Sequence, residues 1–417
     1  MVKYLDVYLH KLLAGKLIQD ESGQISFTYS EQYIGSPGAI ALSHSLPLRK
    51  EIFGLRECRG FFSGILPEGD VRGIIARNLG ISPRNDFSML EQIGGECAGA
   101  ITFVTAGQKP DFDEYQYRQL SSIELYNILK ELHKHPLLAG EEGIRLSLAG
   151  AQDKLAVHVE NDIISLPLGN SPSTHIIKPG IQKFEGMVFN EALCMSLATI
   201  IGLNTAKTEI GRSGDIDYLL IERYDRSINS ANPRQYSRLH QEDFCQALGI
   251  VSEQKYQREG GPSLKDCFKL LREISSLPLI NLQRLLDYMI FNYLIGNCDA
   301  HGKNFSLLYE TNVQGEINIR LAPVYDLVCT EYYPELDKHL AMAIGDKYIS
   351  SEILPSHFDK LAEEAGLSKR FVRQRIKEMA ILIIRNINKA VADHPVSKEI
   401  STLIIKRVKH VLDKFEN

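Results

Sequence analysis

A chain of 417 residues, 44% of them hydrophobic, can bury more than one core and fits roughly two or three packed units. A net charge of -5 excludes a global electrostatic argument for nucleic acid and leaves only local contacts. Seven scattered cysteines with no C-x-x-C pair argue against a zinc site or a disulfide framework, and no run approaches the ~18 apolar residues of a membrane span, so a soluble cytoplasmic protein is expected.

In chain order, Val2 to Leu9 and the alternating Ile25, Phe27 and Tyr29 predict short antiparallel strands, with a turn inside Leu13–Lys16. Phe61–Pro67 is a tight apolar run. Val71, Ile74, Ile75 and Leu79 mark a helix closed by Gly80, and a second short helix is expected over Ser88–Ile93. Residues 93–101 are rich in glycine but lack the Lys-Ser/Thr end of a P-loop, and read as a structural turn before a strand at 101–104. The polar stretch 107–117 is the best boundary candidate. A helix over about 121–134 follows, with Ser121 as N-cap and Glu124 at the capping-box position.

Ser147–Lys154 (SLAGAQDK) is a loop of small residues that allows backbone amides to approach a phosphate; a plain β-turn is the alternative. A strand at 155–159 and the β-branched run Thr174–Lys178 come next, then a helix through 189–198. Lys178 on a strand and Glu191 on a helix 13 residues later match the pair that grips phosphates in kinases, against the plainer reading of Lys178 as a solvated strand end. Tyr218–Ile221 is a strand. From Gln241 onward helices are expected over about 241–248, 263–275, 282–295, 356–366, 368–390 and 397–415, so an α/β part precedes a helical part.

Between the third and fourth of those helices lies the densest chemistry. Leu282 to Leu294 carry apolar residues at three- and four-residue steps, an amphipathic helix ended by Gly296 and Asn297. Asp299 follows in a short loop, Asn304 stands five positions on, and His301 and Lys303 between them are supporting residues. A hairpin of Phe305–Tyr309 and Ile317–Leu321, joined through Thr311, Asn312, Gln314 and Gly315, then delivers Asp326. Helix, D-x4-N loop, hairpin and second Asp make up a phosphoryl-transfer site: Asp299 takes or orients the proton of an attacking hydroxyl, and Asn304 and Asp326 offer hard oxygen ligands to a shared Mg²⁺. Taken alone, Asp299 and Asn304 also suit an ordinary helix-to-strand turn.

These segments resemble the HipA-like serine/threonine kinases of bacterial type II toxin–antitoxin modules, through FFSGILPEGDVR (61–72), SLAGAQDK, THIIKPG (174–180), FNEALCMSLA (189–198), IERYDR (221–226), RLHQEDFCQALG (238–249), IGNCDAHGKNFSLL (295–308) and LAPVYDLV (321–328). The resemblance implies a protein-kinase-like two-lobe fold: an extra N-terminal α/β module at 1–110, an α/β unit with the phosphate loop at 111–240, and a helical lobe with the catalytic loop at 241–417. It implies ATP and Mg²⁺ as cofactors. Ala149, Gly150, Ala151 and Gln152 would cover the phosphates and Lys178 would bind them. Glu222 and Tyr224 would meet adenine through backbone atoms, with Asp225, Gln241 and Tyr325 near ribose and base. Ser147 would be the autophosphorylation site, linked to ejection of the phosphate loop and loss of activity.

As partners the resemblance implies a helix-turn-helix antitoxin, contact with DNA only through it, and a protein substrate of the aminoacyl-tRNA synthetase class, glutamyl-tRNA synthetase in the best-known relative. Cys298, Ala300 and Gly302 depart from the residues expected there, and beyond about 360 the likeness is one of helical pattern alone. The basic positions Lys369, Arg370, Arg373, Arg375 and Lys377 read as a solvated helix face or a DNA-touching one. A weakly active ATP-binding corepressor and a small-molecule kinase are the competing functions.

Overall fold

The structure is a computed structural model that describes residues 2–110, 112, 114–181, 183–229, 232–311 and 316–416. Two compact units are woven through the chain: Met1–Pro179, Gly211–Glu253 and Leu308–Asn318 form the first, and Gly180–Ile210, Gln254–Leu307 and Ile319–Asn417 the second. No helix among the described residues is long and apolar enough to cross a membrane.

The first unit opens with an antiparallel sheet in the order Ile25–Tyr29, Leu12–Gln19, Lys3–Leu9, Ile101–Thr105, with Val7 opposite both Gly15 and Phe103. The first turn falls at His10 and Lys11, where His10 takes φ 54°, and not inside Leu13–Lys16 as expected. Gly15 is mid-strand because a Cβ there would lie 2.2 Å from the Thr28 carbonyl and 2.9 Å from the Phe27 ring, so this glycine serves close packing. The run Phe61–Pro67 begins inside a helix, Leu55–Gly64, that the sequence reading did not separate from it. Cys58, Phe61 and Phe62 fall on its buried side, and Phe62 packs against Phe27 and Phe103 with ring centroids 5.4 and 5.9 Å apart. Helices Gly69–Asn78 and Asp86–Ile93 follow at the expected places.

Five strands of a six-stranded sheet stand in the order Gln116–Gln119, Ile163–Leu168, Leu155–Glu160, His175–Pro179 and Ile216–Glu222. Pairing is antiparallel, with Lys178 opposite Leu219. The boundary stretch 107–117 therefore ends inside a strand, since Gln116 pairs with Leu168 and its N–H donates to Ser171 Oγ at 2.8 Å; Asp111 and Asp113 lie outside the described residues. Helix Ser122–Glu131 starts with the expected box: Ser121 Oγ accepts from the Glu124 N–H at 3.2 Å and Glu124 Oε2 from the Ser121 N–H at 2.8 Å.

The helix expected at 241–248 is instead a strand, His240–Asp243, and a short helix, Phe244–Ala247, capped by Asp243. Alternation decides it: His240 and Glu242 both point inward, and the buried Glu242 carboxyl accepts from Ser43 Oγ (2.5 Å), the His44 N–H (2.9 Å) and the Tyr309 hydroxyl. Burial pushes this carboxyl up to about 7, the donors around it only partly offsetting the loss of water. Its folded pKa thus exceeds its unfolded one, so between the two the folded chain holds a proton that the unfolded chain has lost. Stability should fall as pH rises through that window, by up to one proton or about 1.4 kcal/mol per pH unit. Urea unfolding at pH 5, 6 and 7 checks this, and Glu242→Gln should flatten the dependence.

The second unit is helical: Met187–Ile200, Leu264–Ile274, Pro278–Ile295, Pro355–Glu364, Lys369–Ala390 and Pro395–Glu416. The helix expected over 282–295 with one buried face runs Pro278–Ile295, and every residue from Leu285 to Ile295 is buried, Asp287 and Asn292 included. It is the central helix of its unit, and Asp287 is tolerated there because Arg375 Nε donates to it at 2.9 Å. The hairpin strands are Ser306–Thr311 and Ile317–Leu321; the joining residues Asn312, Gln314 and Gly315 lie outside the described residues. A further pair of strands, His339–Ile344 and Lys347–Ile349, fills a stretch to which the sequence reading gave no element. On the basic helix face, Lys369, Arg373 and Arg375 are engaged by Glu363, Asp359 and Asp287.

Candidate active site

The central helix ends where Gly296 takes φ 77° and its N–H bonds back to the Asn292 and Tyr293 carbonyls. Asn297 continues the stop: its Nδ2 donates to Asn292 Oδ1 at 2.7 Å and to the Asp326 carbonyl at 3.3 Å, and its Oδ1 accepts from the Asp299 N–H at 3.0 Å. One asparagine thus sets the direction of both acidic segments. The loop then closes locally, His301 N–H to Asp299 O at 2.8 Å and Asn304 N–H to His301 O at 3.0 Å, through the tight turn Gly302–Asn304.

Asn304 and Asp326 come together across this loop, Asn304 Nδ2 donating to Asp326 Oδ2 at 3.1 Å. The Asn304 amide oxygen is buried and accepts no hydrogen bond among the described residues. A buried carbonyl-type oxygen without a donor is costly unless a ligand completes it. Asp326 has φ 79°, an unusual conformation for a residue with a Cβ, worth roughly 1–3 kcal/mol of strain that its surroundings must hold. Tyr325 beside it donates to the Lys303 carbonyl at 2.8 Å, which ties the two segments of the site. His301 and Lys303 are buried, whereas Asp299 is exposed. Its Oδ1 accepts from the Tyr256 hydroxyl at 2.7 Å, a neighbour that the sequence reading did not single out. Glu191 is buried on Met187–Ile200, and its neighbour Asn190 fixes that helix to the segment after Asp326 by exchanging bonds with Cys329, 3.1 Å to the carbonyl and 2.9 Å from the N–H.

The other candidate residues belong to the first unit. Ser147 is 0% exposed; its N–H donates to the Glu96 carbonyl at 2.8 Å and its Oγ to the Ile65 carbonyl at 3.0 Å. Gly150 bridges to Pro67 and accepts from the Glu68 N–H at 3.1 Å. Segments 65–68 and 96 therefore hold the small-residue loop from the N-terminal side. Gly150 is needed there: it takes φ 107°, and a Cβ would sit 2.5 Å from Lys154 Nζ, which donates to the Ala149 carbonyl. Ala149, Gly150 and Gln152 are half-buried and Ala151 exposed, with Gln152 Nε2 reaching the Pro179 carbonyl at 3.4 Å. Lys178 is buried on its strand.

Past Glu222, which is half-buried, Tyr224 Oη donates to Gln241 Oε1 at 2.5 Å and Gln241 Nε2 to Asp225 Oδ2 at 3.2 Å, so these three expected residues form one hydrogen-bonded chain. Asp225, expected near the ribose, is only 2% exposed and sits in a buried ion cluster with Arg223, Arg226, Glu96 and Arg238. Burial alone would raise its carboxyl, but Arg223, Arg226 and the Gly99 N–H hold it well below the usual range. In this structure its carboxylate anchors Gln241. Glu96 was inside the glycine-rich turn of the sequence reading; nothing local distinguishes a buried glutamate from a solvated one.

A helix stop, an exposed acidic side chain and an Asn–Asp pair stand here in the order expected of a protein-kinase-type site. The chain belongs to the HipA family: it matches the family profiles described as HipA N-terminal domain over residues 5–104 and HipA-like C-terminal domain over 146–387. It is 43% identical over 382 residues to Y4mE of Sinorhizobium fredii, a protein named for a kinase, spanning 91% of this chain and 89% of that one. It is 30% identical over 403 residues, 93% and 88% of the two chains, to the serine/threonine-protein kinase toxin HipA of Shewanella oneidensis. The solved complex of Shewanella oneidensis HipA with HipB and operator DNA contains a chain of the same fold, with TM-score 0.86, 26% identity and 99% and 98% coverage.

Proposed function

We infer that the chain is a serine/threonine protein kinase toxin that moves the γ-phosphoryl of ATP to a protein serine. The observation that carries this reading is the pairing of Asn304 with Asp326 around a buried amide oxygen, next to an exposed Asp299. One amide oxygen and one carboxylate are the hard donors that Mg²⁺ takes from protein when phosphates and water supply the rest. Bound there, the cation would neutralise charge on the transferred group. Asp299 would orient the attacking hydroxyl and accept its proton, Lys178 would bind the phosphates under the loop Ala149–Gln152, and Glu222 and Tyr224 would meet adenine, with Gln241 and Tyr325 beside it. The three segments 1–110, 111–240 and 241–417 are retained as functional divisions, the first supported by the profile match at 5–104.

An aminoacyl-tRNA synthetase is the proposed substrate, and a helix-turn-helix antitoxin of HipB type the proposed partner, the latter supported by the composition of the solved relative's complex. DNA contact would run through that antitoxin. Transfer of ³²P from ATP to the chain or to a captured synthetase tests the kinase, and no transfer with Mg²⁺ present would end the reading.

Burial of Ser147 supports the proposal that phosphorylation there is self-inactivating. A phosphate on Oγ would face the Ile65 carbonyl in a site closed to water, so the dianion is stable only with the loop expelled. Ser147→Asp should lower activity and speed hydrogen exchange in 147–152, while Ser147→Ala should keep or raise activity. Equal growth inhibition by both variants removes Ser147 from the regulatory account.

A further inference from the structure

We propose that Tyr256 is a positioning residue for phosphoryl transfer, its phenol fixing the Asp299 carboxylate toward the substrate hydroxyl. The proposal rests on the reading of Asp299 as the catalytic carboxylate. Tyr256 and Asp299 are 43 residues apart, yet the hydroxyl donates to Oδ1 at 2.7 Å. A carboxylate on an exposed loop rotates readily about its Cα–Cβ and Cβ–Cγ bonds, and a donor on one oxygen sets where the other points. A general base held by a third group is the recurring arrangement of proton-transfer sites.

A tyrosine meeting an aspartate at the surface is often accidental, and three features argue against that here. The ring stands edge-on to His301, inside the catalytic loop, at 5.3 Å and 80°. The backbone around Tyr256 is shaped independently of its hydroxyl: its carbonyl accepts from the N–H groups of Glu259 and Gly261, both at 2.9 Å, and Gly260 turns the chain at φ 100°. Lastly, one strand registers both partners. In His339–Ile344, the Ala341 N–H donates to the Cys298 carbonyl beside Asp299, and the Ala343 N–H donates to Gln257 Oε1 beside Tyr256, each at 2.8 Å. The phenol and the carboxylate are therefore set against a common rail, so their bond reports a built geometry.

The test uses the purified full chain, [γ-³²P]ATP and Mg²⁺, reading label incorporated into the chain. Tyr256→Phe keeps the ring on His301 and removes only the hydroxyl. The rate at saturating ATP should fall about tenfold, a fraction of what a general base contributes. The ATP concentration giving half the maximal rate and the thermal unfolding midpoint should both stay at wild-type values. A wild-type rate in Tyr256→Phe, or a loss that appears in ATP affinity or in the midpoint, overturns the proposal. Asp299→Gln separates the two readings: inactive Asp299→Gln with unaffected Tyr256→Phe removes Tyr256 alone, whereas active Asp299→Gln removes the role of Asp299 and that of Tyr256 with it.

Discussion

Asp299→Gln is expected to reduce phosphoryl transfer by a factor of about 10² to 10⁴, the contribution of a positioned general base. The fold should survive. Asp299 is exposed, and the loop is held through Asn297, the Cys298 N–H to Thr330 Oγ1 at 2.7 Å, and the turn at 302–304, none of which uses its carboxylate. Glutamine, one methylene longer than aspartate, keeps a hydrogen-bonding end group but cannot take up a proton at neutral pH. Initial rates of ³²P incorporation measure the loss, with ATP binding followed separately to show that the nucleotide still enters. Transfer at the wild-type rate would remove Asp299 from the chemistry and leave the Asn304–Asp326 pair without a mechanism.

The largest stability effect is expected far from that carboxylate, at Glu96. Its 1%-exposed side chain meets Arg223 at 3.0 Å, Arg226 at 2.8 Å and Arg238 at 2.5 Å, and Asp225 is the other anion of the cluster. Three guanidinium groups thus share two carboxylates. Glu96→Ala leaves the cations facing one another around a cavity, and breaking a buried ion pair from one side costs about 3–5 kcal/mol. Chemical denaturation should show a loss of that size in the transition of the first unit, and a change under about 1 kcal/mol would mean that water reaches the cluster. Function should fall too, because Asp225, which shares Arg223 and Arg226 with Glu96, anchors Gln241. A buried ion network gives no assurance of net stability over an apolar core. It does bring the small-residue loop and the strand end at 222–225 into one connected set.

Several elements were legible because their signals are local. The capping box at Ser121 and Glu124, the φ-positive stops at Gly80 and Gly296, and the period of the helices after 355 need only a few adjacent residues to be read. The misread elements each involve a distant neighbour. Leu13–Lys16 looked like the place of a turn until the Phe27 ring was placed against Gly15, and 241–248 looked helical until Ser43, His44 and Tyr309 converged on Glu242. Tyr256 carried no signal at all, being one tyrosine in a polar stretch.

The sequence by itself determined the order of the chemistry: a helix that must stop, an aspartate just beyond it, an asparagine five positions later and a second aspartate after a hairpin, because spacing along a short loop limits where side chains can go. Only the tertiary structure decided what each of these groups faces. That Ser147 is closed off from water, that Glu96 binds three arginines and that a phenol 43 residues away reaches Asp299 follow from packing between distant segments, and no local periodicity records such meetings.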